Sequence, residues 1–298
     1  MKILVTGGCG FIGSNLVDRL VRLGHEVVVI DNLSSTVHDE FYFNSNAVYH
    51  NVDVADFDKT APLYQDVDTV FHLAAQSRIQ LCINDPLQSV KTNTVGTAAV
   101  LEASRIHGVR RVVYSSTSSA YGLKNMPPQV ETMSKDCLNT YSVSKTFGEE
   151  LCQAYTSMFG LETVILRYFN VYGPREPVRG EYAPLIGLFI RQYKNNQPLT
   201  IVPDGNQRRD FTHVGDVVQA NILAMDSQLS SYGEIFNIGS GKNHSVRQIA
   251  DMISTNQIFI QPRIGEARET LANIAKAQAH LGWSPTQDIE NYIRESLQ

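Results

Sequence analysis

The chain has 298 residues, 43% of them hydrophobic and 18% charged, with a formal net charge of -5. That balance argues against nucleic acid or an anionic membrane as the main partner, and no apolar run approaches membrane-spanning length. The four cysteines (Cys9, Cys82, Cys137, Cys152) are widely spaced and the eight histidines show no ligand spacing, so neither disulfides nor a metal site is expected, and a reduced, cytoplasmic setting is.

This length can bury a large core and suggests two lobes. Ile3-Leu4-Val5-Thr6 is too short for a signal-peptide core and reads as a buried strand. It runs into Gly7-Gly8-Cys9-Gly10-Phe11-Ile12-Gly13, after which Leu16, Val17, Leu20 and Leu23 recur at helical spacing. Val27-Val28-Val29-Ile30 is a second buried strand, ending at Asp31. Strand, glycine turn, helix, strand and acid within about thirty residues form a dinucleotide-binding unit. Gly7, Gly10 and Gly13 permit a tight turn and let backbone approach a pyrophosphate, which the helix N-terminus attracts. Asp31 would accept hydrogen bonds from the adenosine ribose and repel a 2′-phosphate, so NAD is expected rather than NADP.

Residues 32–50 lack helical period. A strand is expected over 48–54 and another over 67–73. Asp53 ends the first of these and, on its own, reads as a strand-end turn carboxylate. His72 lies in the second and reads as a satisfied core histidine. A helix is expected from 86 to 107, with Asn93 as a polar residue on an apolar segment. A fifth strand, 110–115, leads into Ser115-Ser116-Thr117-Ser118-Ser119-Ala120-Tyr121-Gly122. Ligands in such sheets bind at the carboxyl ends of the strands, so this hydroxyl-rich stretch should line the site. Tyr141 and Lys145 then lie four residues apart at the start of a helix, on one face. Alone, that spacing is often a solvated helix face. Beside a hydride acceptor, a lysine that favours the phenolate would let the tyrosine take a proton from a hydroxyl.

Gly-x-x-Gly-x-x-Gly with Tyr141-x-x-x-Lys145 resembles the extended short-chain dehydrogenases/reductases, the branch holding nucleotide-sugar epimerases and dehydratases. The likeness runs over nearly the whole chain and implies an α/β fold: a Rossmann-type doubly wound parallel sheet with a smaller α/β C-terminal substrate lobe. It implies an NAD-binding domain over 1–172 and a nucleotide-sugar lobe over 173–298, with segments near 213–238 returning to the first. For the cofactor it implies Gly7, Gly10, Phe11, Ile12, Gly13, Asp31, Asn32, Ser35, Asp53, Val54, Leu73, Ala74, Ala75, Asn93, Ser115, Tyr141, Lys145 and Tyr168. Thr117 falls where relatives carry the catalytic Ser or Thr, beside Tyr141 and Lys145. Ser118 and Ser119 stand where dehydratases and decarboxylases carry carboxylates, which leaves oxidation and reduction at one carbon.

Val164–Arg175 resembles the family's Arg-Tyr-Phe-Asn-x-x-Gly-Pro stretch. By that likeness Tyr168 and Phe169 flank the nicotinamide and Asn170 bonds the substrate diphosphate. Glu181-Tyr182-Ala183-Pro184-Leu185-Ile186 would open a helix beside the nucleotide base, with Tyr182, Ala183 and Pro184 as contacts. Ser77, Thr117 and Ser118 would face the sugar. Arg209 matches the diphosphate arginine, and Arg268 is either a second or a surface ion pair. Thr270 falls where 4-epimerases gate the C2 substituent, and its small size implies that an acetamido sugar fits. The resemblance implies an NAD-dependent 4-epimerase of a UDP-hexose, of the UDP-N-acetylglucosamine or UDP-glucose type. It also implies a homodimer built on a four-helix bundle. Alternatives are a UDP-glucuronate 4-epimerase, a decarboxylase, a reductase and, more distantly, a non-catalytic NAD-binding regulator.

Overall fold

The computed structural model describes residues 1–38, 40–177, 183–261 and 267–298. Six parallel strands come first in the chain: β1 (Lys2–Thr6), β2 (Glu26–Asp31), β3 (Ala47–Asn51), β4 (Thr69–His72), β5 (Arg111–Thr117) and β6 (Glu162–Tyr168). The strand Glu234–Ile238 pairs parallel to β6, placing Ile238 opposite Tyr168. The sheet order is therefore Glu234–Ile238, β6, β5, β4, β1, β2, β3. The order reverses beside β1, between β2 and β4, and such a switch point opens a crevice at the strands' carboxyl ends.

Alternate residues of one strand enter different cores. Ile3 and Val5 pack with Leu16, Leu20, Val217 and Trp283 on one face of the sheet. Leu4 packs with Val70, Val100, Val112 and Ile165 on the other. Both faces are covered, so the strands read as unbroken apolar runs rather than alternating ones. The helix Val214–Asp226 crosses back to this domain, where the Trp283 indole donates to the carbonyl of Asp216 at 2.9 Å. A third core, including Ile186, Phe189, Leu199, Phe211 and Ile249, belongs to the C-terminal lobe.

The helical stretch expected over 86–107 is not uniform: a π turn at Lys91–Val95 separates Pro86–Val90 from Gly96–Ile106. The helix expected to open at Glu181 begins at Leu185 and runs to Lys194. Among the described residues, no helix is long and apolar enough to cross a membrane.

Candidate active site

A cavity of about 490 Å³ runs from the glycine turn, past the ends of β5 and β6, to the C-terminal lobe. Its first end is a cradle for a dinucleotide. Gly7 has a positive φ of 72°, and a Cβ there would lie 2.7 Å from the amide nitrogen of Ala74. At Gly13 a Cβ would lie 2.1 Å from the carbonyl oxygen of Gly7. These two glycines are thus required by the protein itself, to bring turn, helix and β4 together. Gly10 differs: its Cβ would meet nothing closer than 3.5 Å, yet the residue lines the cavity. Its missing side chain leaves room for a ligand at the N-terminus of the helix Phe11–Arg22. Asp31 accepts from the amides of Cys9 at 3.0 Å and Leu33 at 2.9 Å, which fixes its carboxylate on the cavity wall beside Asn32 and Ser35. The glycine turn, the helix end and the acid together fit a dinucleotide with a free ribose diol.

Phe11, Ile12, Val54, Leu73, Ala74, Ala75, Ser115 and Tyr168 also line the cavity. The Tyr168 hydroxyl is tied to Ser115 Oγ at 3.0 Å and to Asn221. Phe169, expected beside it, is instead fully buried against Tyr121. His72 is a core histidine, bonded on both ring nitrogens to Thr6 and Thr97, and burial drives its pKa down to about 3.

The candidate reacting centre lies where β5 meets the helix Thr140–Phe159. Asn139 caps this helix with a capping box to Ser142, which sets Tyr141 in the first turn. Thr117 ends β5, and its Oγ accepts from the amide of Ser119 at 3.1 Å. The same hydroxyl acts on the Tyr141 phenol in favour of its charged form. Burial raises the Tyr141 pKa, and the Thr117 hydroxyl opposes that rise. The lowering expected of Lys145 is not what this structure displays. The cation acting on the phenol is Arg78, while the Lys145 ammonium sits 4.2 Å above the Tyr114 ring. Burial lowers the pKa of Lys145 itself to about 8.

Beneath this centre lies a buried ion pair that the sequence reading missed. Glu149 accepts two hydrogen bonds from the Arg167 guanidinium, at 2.8 and 2.7 Å, and one from Ser116 Oγ at 2.6 Å. Helix, β5 and β6 are thereby tied together under Tyr141. A signal existed: Glu149 follows Lys145 by four residues, on the helix face that packs inward.

In the C-terminal lobe, Asn170 donates to the Asp210 carbonyl at 3.0 Å and to Thr270 Oγ at 3.4 Å. Asn170, Ala183, Pro184, Arg209 and Thr270 line the far end of the cavity, and Ser77 and Ser118 its middle. Tyr182 lies outside the described residues.

Three candidates stand elsewhere. Asp53 does not line the cavity; it bonds the amide of Ala55 at 2.9 Å, as a turn carboxylate does. Asn93 is fully buried, its amide spent on the Gln76 backbone and Ser144 Oγ, so it anchors the loop after β4. Arg268 is 59% exposed and forms a two-point ion pair with Asp204, at 2.9 and 3.0 Å. Among the cavity residues that escaped the sequence reading are two charged ones: Arg78, after β4, and Glu176, just after Gly173-Pro174-Arg175. Neither stands in a periodic or motif-like setting.

The profile of the NAD dependent epimerase/dehydratase family matches residues 3–239. A UDP-glucose 4-epimerase of Mycolicibacterium smegmatis is 33% identical over 309 residues, 100% of this chain and 98% of that one. A UDP-N-acetyl-alpha-D-glucosaminuronate decarboxylase of Bacillus cytotoxicus is 37% identical over 261 residues, 85% of this chain and 79% of that one. The crystal structure of a UDP-glucose 4-epimerase of Thermotoga maritima with UDP-glucose superposes with a TM-score of 0.94 at 33% identity, covering 100% of this chain and 97% of that one.

Proposed function

This chain belongs to the NAD-dependent epimerase/dehydratase family and modifies a nucleotide sugar with NAD as its cofactor; from that premise we propose that it inverts C4 of a UDP-hexose through a 4-keto intermediate. One observation carries this reading. Thr117 and Tyr141 line the cavity together with Lys145, and serines occupy 118 and 119 where elimination would need carboxylates. In this reading NAD, held by the glycine turn and Asp31, would supply a reversible hydride acceptor for C4 of the sugar. Tyr141 takes the proton from the C4 hydroxyl, and Thr117 holds that oxygen and relays the proton. Lys145, on the same helix face, would hold the nicotinamide ribose. Asn170 and Arg209 would anchor the diphosphate while the hexose turns between the two transfers. Thr270 lies beside Asn170, and by the family likeness its small side chain would admit an acetamido group at C2.

A second reading, decarboxylation, has Glu176 in its favour: a buried carboxyl lining the cavity, its pKa pushed up to about 8 by burial. Such an acid is protonated at neutral pH and could return a proton to carbon. The 37% identical decarboxylase adds weight to it.

The test is incubation of the NAD-loaded protein with UDP-glucose, UDP-N-acetylglucosamine and UDP-glucuronate, followed by NMR of the sugar products. Inversion at C4 with no carbon dioxide and no net NADH is the expected result. Carbon dioxide from the uronate would favour the second reading, and an unchanged sugar in every case would sink both.

We also infer a homodimer. Leu87 and Val90 on one helix, and Val143 and Phe147 on the helix packed beside it, are exposed apolar side chains. Pairing them with a second copy would form a four-helix bundle. A monomer by light scattering would overturn this.

A further inference from the structure

Asp210 ends the strand Arg208–Asp210 and is fully buried. It does not itself line the cavity, although Arg209 beside it does. Its Oδ1 accepts from the amide of Ser240 at 2.6 Å and from the Ser240 hydroxyl at 2.7 Å. Its Oδ2 accepts from the amides of Gly241 at 3.1 Å and Ala272 at 3.0 Å. Ser240 and Gly241 follow the sheet strand Glu234–Ile238, and Ala272 follows Thr270 by two residues. One side chain thus ties a strand of the C-terminal lobe to the end of the main sheet and to the stretch that carries Thr270. The fit is close: a Cβ at Gly239 would lie 2.9 Å from Asp210 Oδ2 and 2.4 Å from the Ala272 Cβ.

The backbone of the same residue reaches the cavity wall. Its amide donates to Thr270 Oγ at 3.3 Å, and its carbonyl accepts from the Asn170 side chain at 3.0 Å. Two residues on, the Thr212 amide donates to the Asn170 carbonyl at 3.1 Å. Asn170, Arg209 and Thr270 all line the far end of the cavity. Each is joined to Asp210 by a hydrogen bond or by the chain itself.

Four donors converge on two oxygens, an acceptor capacity that a carboxylate has and an amide lacks. An asparagine of the same shape would turn its NH2 group against backbone N–H groups, and one of the three segments would have to move. We propose that Asp210 is a positioning residue, setting Asn170, Arg209 and Thr270 relative to one another and to the main sheet, an inference that rests on the reading in which Asn170 and Arg209 anchor a nucleotide diphosphate. It acts on ligand affinity through those three residues and touches no ligand itself.

Binding at the two ends of the cavity separates positioning from mere support of the fold. The unaltered protein, Asp210→Asn, Ser240→Ala and Arg209→Gln are titrated calorimetrically with NAD and then, loaded with NAD, with UDP, each well below its melting temperature. NAD is the internal control, because its cradle at Gly7, Gly13 and Asp31 lies at the opposite end. UDP should bind at least about tenfold more weakly to Asp210→Asn, where hydrogen bonds to a charged group are lost. Ser240→Ala removes one donor of the four and should weaken UDP about threefold; it decides the question alone if Asp210→Asn does not fold. NAD affinity should be unchanged in both. A lowered melting temperature with UDP affinity intact would overturn the proposal, and so would equal losses of NAD and UDP. UDP affinity lost in Arg209→Gln but kept in both hub variants would also overturn it, while leaving the diphosphate reading in place. A UDP loss confined to the hub variants and Arg209→Gln, in a protein that inverts no C4 centre, would uphold the positioning role and sink the epimerase reading.

Discussion

Arg167 and Glu149 face each other across β6 and the helix Thr140–Phe159 in a two-point ion pair with both side chains out of solvent. Arg167 also stacks over the Tyr121 ring, 4.8 Å from its centre, and Glu149 takes a further contact from Lys135 at 3.1 Å. The pair holds the helix that carries Tyr141 and Lys145 against the strand that ends in Tyr168.

Removing one member leaves a buried charge unbalanced, which costs more than the pair contributes. Glu149→Gln should lower stability by about 3–5 kcal/mol in chemical denaturation. The double replacement Glu149→Leu with Arg167→Met should recover much of that loss, since two apolar side chains of similar size need no counter-charge. Additive losses in the double variant would refute this account.

Tyr141→Phe keeps the ring and its packing but removes the proton acceptor. Turnover should fall by about 10²–10⁴-fold, the usual worth of a positioned acid–base group. Bound NAD, followed by absorbance after reduction of the protein sample, should be retained. Full activity in this variant would end the mechanism.

The sheet and the chemical centre were legible because local spacing encodes them. Apolar runs mark strands buried on both faces, and the turn from Gly7 to Gly13, Asp31, Thr117 and Tyr141–Lys145 all sit in short motifs. What was not legible joins distant segments. Glu149 and Arg167 are charged residues within otherwise ordinary helix and strand runs, and pairing alone explains their burial. Arg78 and Glu176 lie on loops, where no period reveals which way a side chain points. Asp53, Asn93 and Arg268 carry plausible site chemistry, but nearer partners take it up: the Ala55 amide, Gln76 with Ser144, and Asp204. Sequence shows which groups could serve a ligand; burial and competing partners decide which do.

The two glycines at 10 and 13 should fail in different ways. Gly13→Ala drives a methyl into the Gly7 carbonyl at 2.1 Å, so folding itself should suffer, by roughly 1–3 kcal/mol for an overpacked site. Gly10→Ala has room within the protein, so its melting temperature without cofactor should match that of the unaltered chain. Its NAD affinity should nevertheless drop, because the methyl takes space the pyrophosphate needs. Equal NAD affinity in Gly10→Ala and the unaltered protein, by titration calorimetry, would show that the dinucleotide does not pass this turn.

Asp31→Asn tests the ribose end. The side chain keeps an acceptor oxygen but loses its charge, and a charge-assisted hydrogen bond is worth about 1.5–3 kcal/mol. NAD should bind at least about tenfold more weakly, while NADP should bind better relative to NAD, since the 2′-phosphate no longer meets a carboxylate. A ratio of NAD to NADP affinity unchanged by the substitution would remove Asp31 from the cofactor site.

Glu176 makes stability fall with pH, the reverse of the common carboxylate case. Its carboxyl pKa is about 8 in the folded chain, against an ordinary value of 4.5. Between those values the folded state holds a proton that the unfolded state has released, so stability declines as pH rises through this window. Below it both states are protonated and the burial costs nothing in charge; above it the full penalty is present. Arg78 opposes the shift, and the phenols of Tyr172 and Tyr292 also face this carboxyl. Glu176→Gln keeps the shape and removes the titration. Its melting temperature relative to the unaltered protein should therefore climb steadily from pH 5 to pH 8, and parallel curves for the two proteins over that range would show that Glu176 titrates normally.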